Sequence, residues 1–141
     1  MPVAATGYAH VRLTVTDIAA SRRFYEDVFG FPVAYELPEG ADDATKEALG
    51  FLFGGVIYAL PGGMLLGLRP VAQPGDRFDE DRVGLDHLSL SLASADEVTA
   101  AAAVLDGLGI AHAGVKDIGV AVLLEFRDPD GIALELFAPK G

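Results

Sequence analysis

Two histidines and one glutamate carry the most pointed chemistry in this sequence. His10 opens the stretch HVRLTV, His87 opens HLSLSL, and Glu135 interrupts the apolar run IALELFAP. A carboxylate inside an otherwise core-like segment costs several kcal/mol to bury unless it is paired or bound to a cation. Two imidazoles and one carboxylate form a facial set suited to Fe(II), and also to Mn, Zn, Co or Ni. The ordinary alternative is that each histidine is a polar residue on a wet face and that Glu135 pairs with Arg12 or Arg69. The chain has no cysteine. Disulfides and thiolate ligands are therefore excluded, and a metal site must be built from His and carboxylates.

The elements that position these residues emerge from an internal repeat. Sliding the chain by 77 residues lays His10–Val15 on His87–Leu92, and Gly30-Phe31-Pro32-Val33 on Gly107-Leu108-Gly109-Ile110. The two copies end with a different offset, 68: Pro61 falls on Pro129, Gly63 on Gly131, and Gly67 on Glu135. The change of offset means about nine extra residues in the first copy, and the polar segment Pro38–Gly50 is their natural place. Between the matched His and Gly, both copies read as helix. Ile18, Phe24, Tyr25, Val28 and Phe29 recur at helical spacing in the first. Ser94 and Glu97 form a capping-box signature in the second. Gly30 and Gly107 fall where a helix C-terminus favours glycine.

Each copy thus reads strand, helix, three strands. The expected strands are about 8–16, 31–38, 51–60 and 64–70, then about 84–92, 110–116, 120–127 and 132–138. The expected helices are about 18–29 and 95–106. The polar, turn-rich stretch 71–83 links a first unit of about 8–70 to a second of about 84–138, within a single domain over 1–141. The fold class is α+β.

Strand alternation sorts the side chains. Val11, Leu13 and Val15 face the helices; His10, Arg12 and Thr14 face the other way. Leu88, Leu90 and Leu92 oppose His87, Ser89 and Ser91. Leu134 and Leu136 oppose Ala133, Glu135 and Phe137. The polar faces are expected to line a concavity with His10, His87 and Glu135. Tyr8, Arg12, Thr14, Tyr58, Arg69, Ser89, Glu125 and Phe137 would supply its wall. Tyr35, Phe51, Phe53, Tyr58 and Phe137 give a group of aromatics compatible with a flat or hydrophobic ligand. His112 has no repeat partner and reads as a surface residue at a strand start.

Composition narrows the partners. The 141 residues carry a formal charge of −11 and are 51% hydrophobic, which suits one globular domain. The acidity argues against nucleic acid. No apolar run of roughly 18 residues suggests a membrane span. The N-terminus does not read as a secretory signal, and a cytoplasmic location is the expectation.

The doubled pattern, with HVRLTVTDIAASRRFYEDVFGFPV, GLDHLSLSL and FRDPDGIALELFAP, resembles the vicinal oxygen chelate superfamily. That group includes glyoxalase I, bleomycin-resistance proteins, fosfomycin-resistance enzymes and extradiol dioxygenases. The resemblance covers nearly the whole chain. It implies two βαβββ units forming a cupped, incompletely closed mixed β-barrel with the helices outside, and a homodimer. It also implies metal ligands from the first and last strand of each unit, here His10, Gly67, His87 and Glu135. Gly67 offers no side-chain ligand. Glyoxalase I-like sites resemble four-ligand arrangements with a group here that can take part in proton transfer. The three ligands left here are more similar to fosfomycin-resistance and extradiol dioxygenase members. Two departures stand out: fosfomycin-resistance enzymes have Thr where this chain has Arg12, and Glu125 lies near where the dioxygenases place a Tyr.

The expected function is a metal-dependent enzyme acting on a small molecule. One divalent ion (Fe, Mn, Zn, Ni or Co) would be held by His10, His87 and Glu135 and act as a Lewis acid. Glu135, Arg12 and Glu125 are the catalytic candidates. Arg69, Tyr58, Phe53, Phe137 and Ser89 are the substrate-binding candidates. The reaction is left open among isomerase, lyase, transferase and dioxygenase chemistry. The alternative is a non-catalytic protein of the bleomycin-resistance kind that sequesters a small molecule or antibiotic.

Overall fold

A computed structural model describes residues 1–141. The chain divides into two compact units, Met1–Gly75 and Asp76–Gly141. Each is an open four-stranded sheet carrying helix on one face, and the architecture is α+β as the repeat predicts.

In the first unit the order is β1 (His10–Thr14), α1 (Ile18–Phe29), β2 (Val33–Tyr35), α2 (Asp43–Ala48), β3 (Val56–Ala59) and β4 (Leu65–Arg69). The sheet runs β1-β4-β3-β2, with β1 parallel to β4 and the other pairs antiparallel. In the second unit β5 (Leu88–Ser91), α3 (Ala95–Gly107), β6 (His112–Asp117), β7 (Ala121–Arg127) and β8 (Ala133–Pro139) follow. Its sheet, β5-β8-β7-β6, repeats the same pairing. The short α2 lies in the insertion of the first unit, where the sequence pattern predicted only a polar connection. The expected strand over 51–60 is shorter, because Gly50–Leu52 forms a 3₁₀ turn before β3.

Local signals start and stop the long helices. Asp17 caps α1 by accepting from the Ala20 N–H at 3.1 Å. Ser94 caps α3 by accepting from Glu97 N–H at 3.3 Å, and Glu97 reaches back to the Ala93 N–H at 2.8 Å. Such caps satisfy amides that the first helical turn leaves open. Gly30 ends α1 in the left-handed conformation at φ 62°. In α3 that role falls to Gly109 at φ 71°, two residues beyond the expected Gly107, which is still helical.

The helix-facing sides form the cores. In the first unit Leu13, Val15, Tyr25, Leu52, Val56, Leu66 and Leu68 are all buried. In the second, Val98, Leu105, Val122, Leu124, Phe126, Leu134 and Leu136 are buried. Each such side chain contributes about 1.5–3 kcal/mol of hydrophobic transfer. Burying these faces fixes the strand register, since a slip by one residue would turn every apolar side chain outward.

Candidate functional site

Glu135 is placed by a turn and a ladder. Asp128 is 5% exposed and its Oδ1 accepts from the N–H groups of Asp130 and Ile132, both at 2.9 Å. Gly131, at φ 81°, completes the turn and launches β8. The ladders then set Glu135 directly between Ser89 of β5 and Glu125 of β7.

Ser89 Oγ donates to Glu135 Oε1 at 2.7 Å. His87 Nε2 faces Glu135 Oε2 at 3.8 Å. The Glu135 side chain is 12% exposed. Within this unit its hydrogen-bond partner is a neutral hydroxyl, with the imidazole further off. Asp86 sits 2.6 Å from His87 Nδ1. That contact first, and the charges of Glu135, Asp86 and Glu125 after it, raise the His87 pKa above its ordinary value against the opposing effect of burial. With Nδ1 engaged by Asp86, Nε2 is the nitrogen aimed at Glu135.

Two carboxylates directly across a ladder repel. Here Lys116 meets Glu125 Oε2 at 2.9 Å and relieves the pair from that side. Glu125, Glu135, His87, Asp86 and Glu80 share one hollow of about 670 Å³ in the second unit. Glu80 binds the Arg127 guanidinium, which also donates to Gly131 O at 2.9 Å. That ion pair brings the Glu80 pKa from its ordinary 4.5 down to about 2. His112, at the start of β6, is half-buried and meets Asp106 of α3 at 2.8 Å through Nε2.

The first unit presents the matching register without the matching chemistry. Arg12 opposes Gly67, as Ser89 opposes Glu135. This pairing bears out the two sequence offsets. The small residue and the large one are exchanged: a Cβ on Gly67 would meet Arg12 Cγ at 3.0 Å. The stem of Arg12 therefore lies over the glycine that occupies the carboxylate's position. Arg12 Nη2 donates to the Phe51 carbonyl, while Arg12 Nε is buried without a hydrogen-bond partner. His10, Arg12, Tyr35, Phe51, Ile57 and Gly67 line a separate hollow of about 300 Å³.

Other expected residues fall as follows. Arg69 and Phe53 meet face to cation, with Cζ 4.4 Å from the ring centroid. Phe137 is half-buried on the Glu135 face of β8. Tyr58 departs from its expected place. It is fully buried, and its hydroxyl donates to Glu26 of α1 at 2.9 Å. Burial and that carboxylate hold its phenol well above the ordinary range. Ile57, its neighbour on β3, faces the hollow instead. Tyr8 is exposed. Asp86 and Lys116 went unnoticed in the sequence. Only the adjacency of Asp86 to His87 pointed to the first, and Lys116 needed the β6–β7 pairing.

Within the second unit His87 and Glu135 come together, but no third His, Asp or Glu joins them as a ready metal cluster. His10 stands at the repeat-equivalent position of the first sheet. The two facing donors suit a borderline divalent ion: 3.8 Å is too long for a direct hydrogen bond. Two ligands each about 2.0–2.2 Å from one metal lie about 3.0–3.5 Å apart, so the pair would close in to hold an ion.

Residues 7–136 match the family model of the glyoxalase/bleomycin resistance protein/dioxygenase superfamily. The chain is 30% identical over 131 residues to the uncharacterized protein YaeR of Escherichia coli (strain K12), covering 91% of this chain and 92% of that one. A glyoxylase/bleomycin resistance protein/dioxygenase domain from Frankia sp. EAN1pec has 29% identity and a TM-score of 0.77, over 97% of this chain and 94% of that chain. A variant of the fosfomycin resistance protein FosX from Listeria monocytogenes, complexed with Mn(II) and dihydroxypropylphosphonic acid, has 17% identity and a TM-score of 0.73, over 97% and 95%. No helix is long and apolar enough to cross a membrane.

Proposed function

This chain belongs to the glyoxalase/bleomycin resistance protein/dioxygenase superfamily, and from that premise we propose that it is a metal-dependent enzyme acting on a small molecule. His10, His87 and Glu135 are the proposed ligands of one divalent ion, in a homodimer. The observation that carries the reading is the His87–Glu135 pair. A carboxylate 12% exposed faces an imidazole nitrogen at 3.8 Å, too far to share a proton directly. When bound, the ion supplies a Lewis acid for adjacent oxygens of a substrate.

The residues of the chain then have distinct tasks. Asp86 holds the His87 ring with Nε2 toward Glu135. Ser89 holds one oxygen of Glu135 and leaves the other for the ion. Glu125 lines the same hollow as Glu135 and is the proposed proton-transfer group. Lys116 donates to its Oε2 at 2.9 Å and orients it. Gly67 leaves the first unit without a fourth side-chain ligand, so the site is of the three-ligand kind, like dioxygenase or fosfomycin-resistance sites rather than glyoxalase I. Arg12, Arg69 and Phe53 in the first unit and Phe137 in the second are the residues proposed to bind substrate.

Calorimetric titration of metal-free protein with Mn(II), Ni(II) and Zn(II) tests the reading. It requires saturable binding that Glu135→Ala and His87→Ala each abolish. Unchanged affinity in both variants would refute it. A second reading, sequestration of an organic molecule without catalysis, is favoured by the half-exposed Tyr35, Phe51 and Phe53. It requires ligand binding that does not change when metal is removed.

A further inference from the structure

We infer that the hollow of the first unit binds a small planar carboxylate whose flat body lies against Tyr35 and Phe51. Four features of that unit converge on it.

The first is charge. Arg12 and Arg69 approach the same ring, with Cζ 6.0 Å and 4.4 Å from the Phe53 centroid. Two guanidiniums at one ring repel, and neither meets a carboxylate of its own unit. Nearby Arg22 is held by both Glu26 and Glu36. In a chain with 21 acidic and 10 basic residues, two adjacent cations left without a counterion mark a place for an anion.

The second is an unmade hydrogen bond. Arg12 Nε is buried and has no partner. Buried donors in folded proteins are nearly always satisfied, and an unsatisfied one calls for an explanation. Nη2 is engaged by the Phe51 carbonyl, so the guanidinium would meet a carboxylate through its charge and its remaining donors.

The third is shape. The hollow holds about 300 Å³, at the small end of ligand sites. Val11, Ile57 and Leu65 contribute apolar lining. Tyr35 and Phe51 are 50% and 49% exposed, so two large aromatic faces stand open beside a charge. Gly67 has no side chain to fill the space, and Arg12 lies over it.

The fourth is the backbone. Phe53 is the one residue other than glycine at positive φ, 51°. A bulky residue there is strained, and such strain concentrates at ligand sites. The conformation presents the ring to both arginines.

As a substrate subsite this inference rests on the proposed metal enzyme, but binding at the hollow needs no metal. The test therefore titrates the full chain with benzoate in the presence of a chelator, by calorimetry and ligand-observed NMR. Benzamide serves as the neutral isostere and acetate as the carboxylate without a ring. The expected result is saturable benzoate binding, about tenfold or more tighter than either control, and weakened by added salt. Arg12→Met and Arg69→Met should each weaken it by about tenfold, with unchanged circular dichroism. Benzamide binding as well as benzoate would overturn the carboxylate assignment, on the unmodified protein and independently of any variant's folding. Acetate binding as well as benzoate would overturn the aromatic wall. Absence of benzoate binding would overturn the whole inference while leaving the metal reading standing.

Discussion

Replacing Gly67 by alanine probes the exchange of residues that separates the two halves. Glycine inside a strand is normally less stable than alanine by about 0.5–1 kcal/mol. At Gly67 the added Cβ would lie 3.5 Å from Ile57 Cγ1, an ordinary contact, but 3.0 Å from Arg12 Cγ. Arg12 cannot yield freely, because its Nη2 is tied to the Phe51 carbonyl and its Nε is enclosed. Overpacking of this kind costs about 1–3 kcal/mol. In the native background Gly67→Ala should therefore range from near neutral to destabilising by about 2 kcal/mol. In an Arg12→Ser background the stem is gone, and the same change should stabilise by about 0.5–1 kcal/mol. The coupling equals the overpacking cost alone, about 1–3 kcal/mol. Urea denaturation of the four proteins, followed by far-UV circular dichroism, measures it. Additivity within about 0.5 kcal/mol would refute the claim that Arg12 fills the space of the missing side chain.

Three further outcomes follow from named contacts. Glu80 has its pKa lowered by Arg127, so the unfolded chain binds a proton more readily than the folded one. Its contribution is full above about pH 4.5 and is lost as pH falls toward 2; Glu80→Gln should flatten the acid limb of the stability curve, and an unaltered limb would contradict the pairing. Asp86→Asn should weaken metal affinity by about 10–100-fold while leaving the fold intact, since partners that orient a ligand imidazole typically contribute that much; equal affinity in calorimetry would remove Asp86 from the site. At Phe53, glycine should leave stability within about 1 kcal/mol of the native protein, because relief of the positive φ offsets the lost stacking. Valine there should be clearly worse than glycine, and a valine variant as stable as the glycine one would show that the backbone is unstrained.

Much of the fold was legible because the two copies constrain each other. His10–Val15 over His87–Leu92, and Gly67 over Glu135, predicted two offsets that the ladders reproduce as Arg12 opposite Gly67 and Ser89 opposite Glu135. Alternation placed Leu134 and Leu136 inward and Glu135 outward, and that is how β8 lies. The misplacements have local causes. Tyr58 lies on the helix-facing side with Val56, and the apolar run VIYA carries no polar alternation from which the sequence could tell its two faces apart. The helix α2 was hidden in a polar insertion with no apolar stripe, and none of its residues is buried. Gly109 displaced Gly107 because glycines two apart give equivalent stop signals in sequence, and only the backbone distinguishes them. Contacts between side chains distant in sequence, such as Lys116 with Glu125, leave no periodic trace.

The measurement closest to the central claim is the metal content of the protein purified without chelators or a histidine tag, alongside Glu135→Ala and His87→Ala. The account predicts about one divalent ion per chain in the native protein and little in either variant, as expected for a site built on these donors. A native protein without metal that also takes up no Fe(II), Mn(II), Ni(II) or Zn(II) on reconstitution would contradict it.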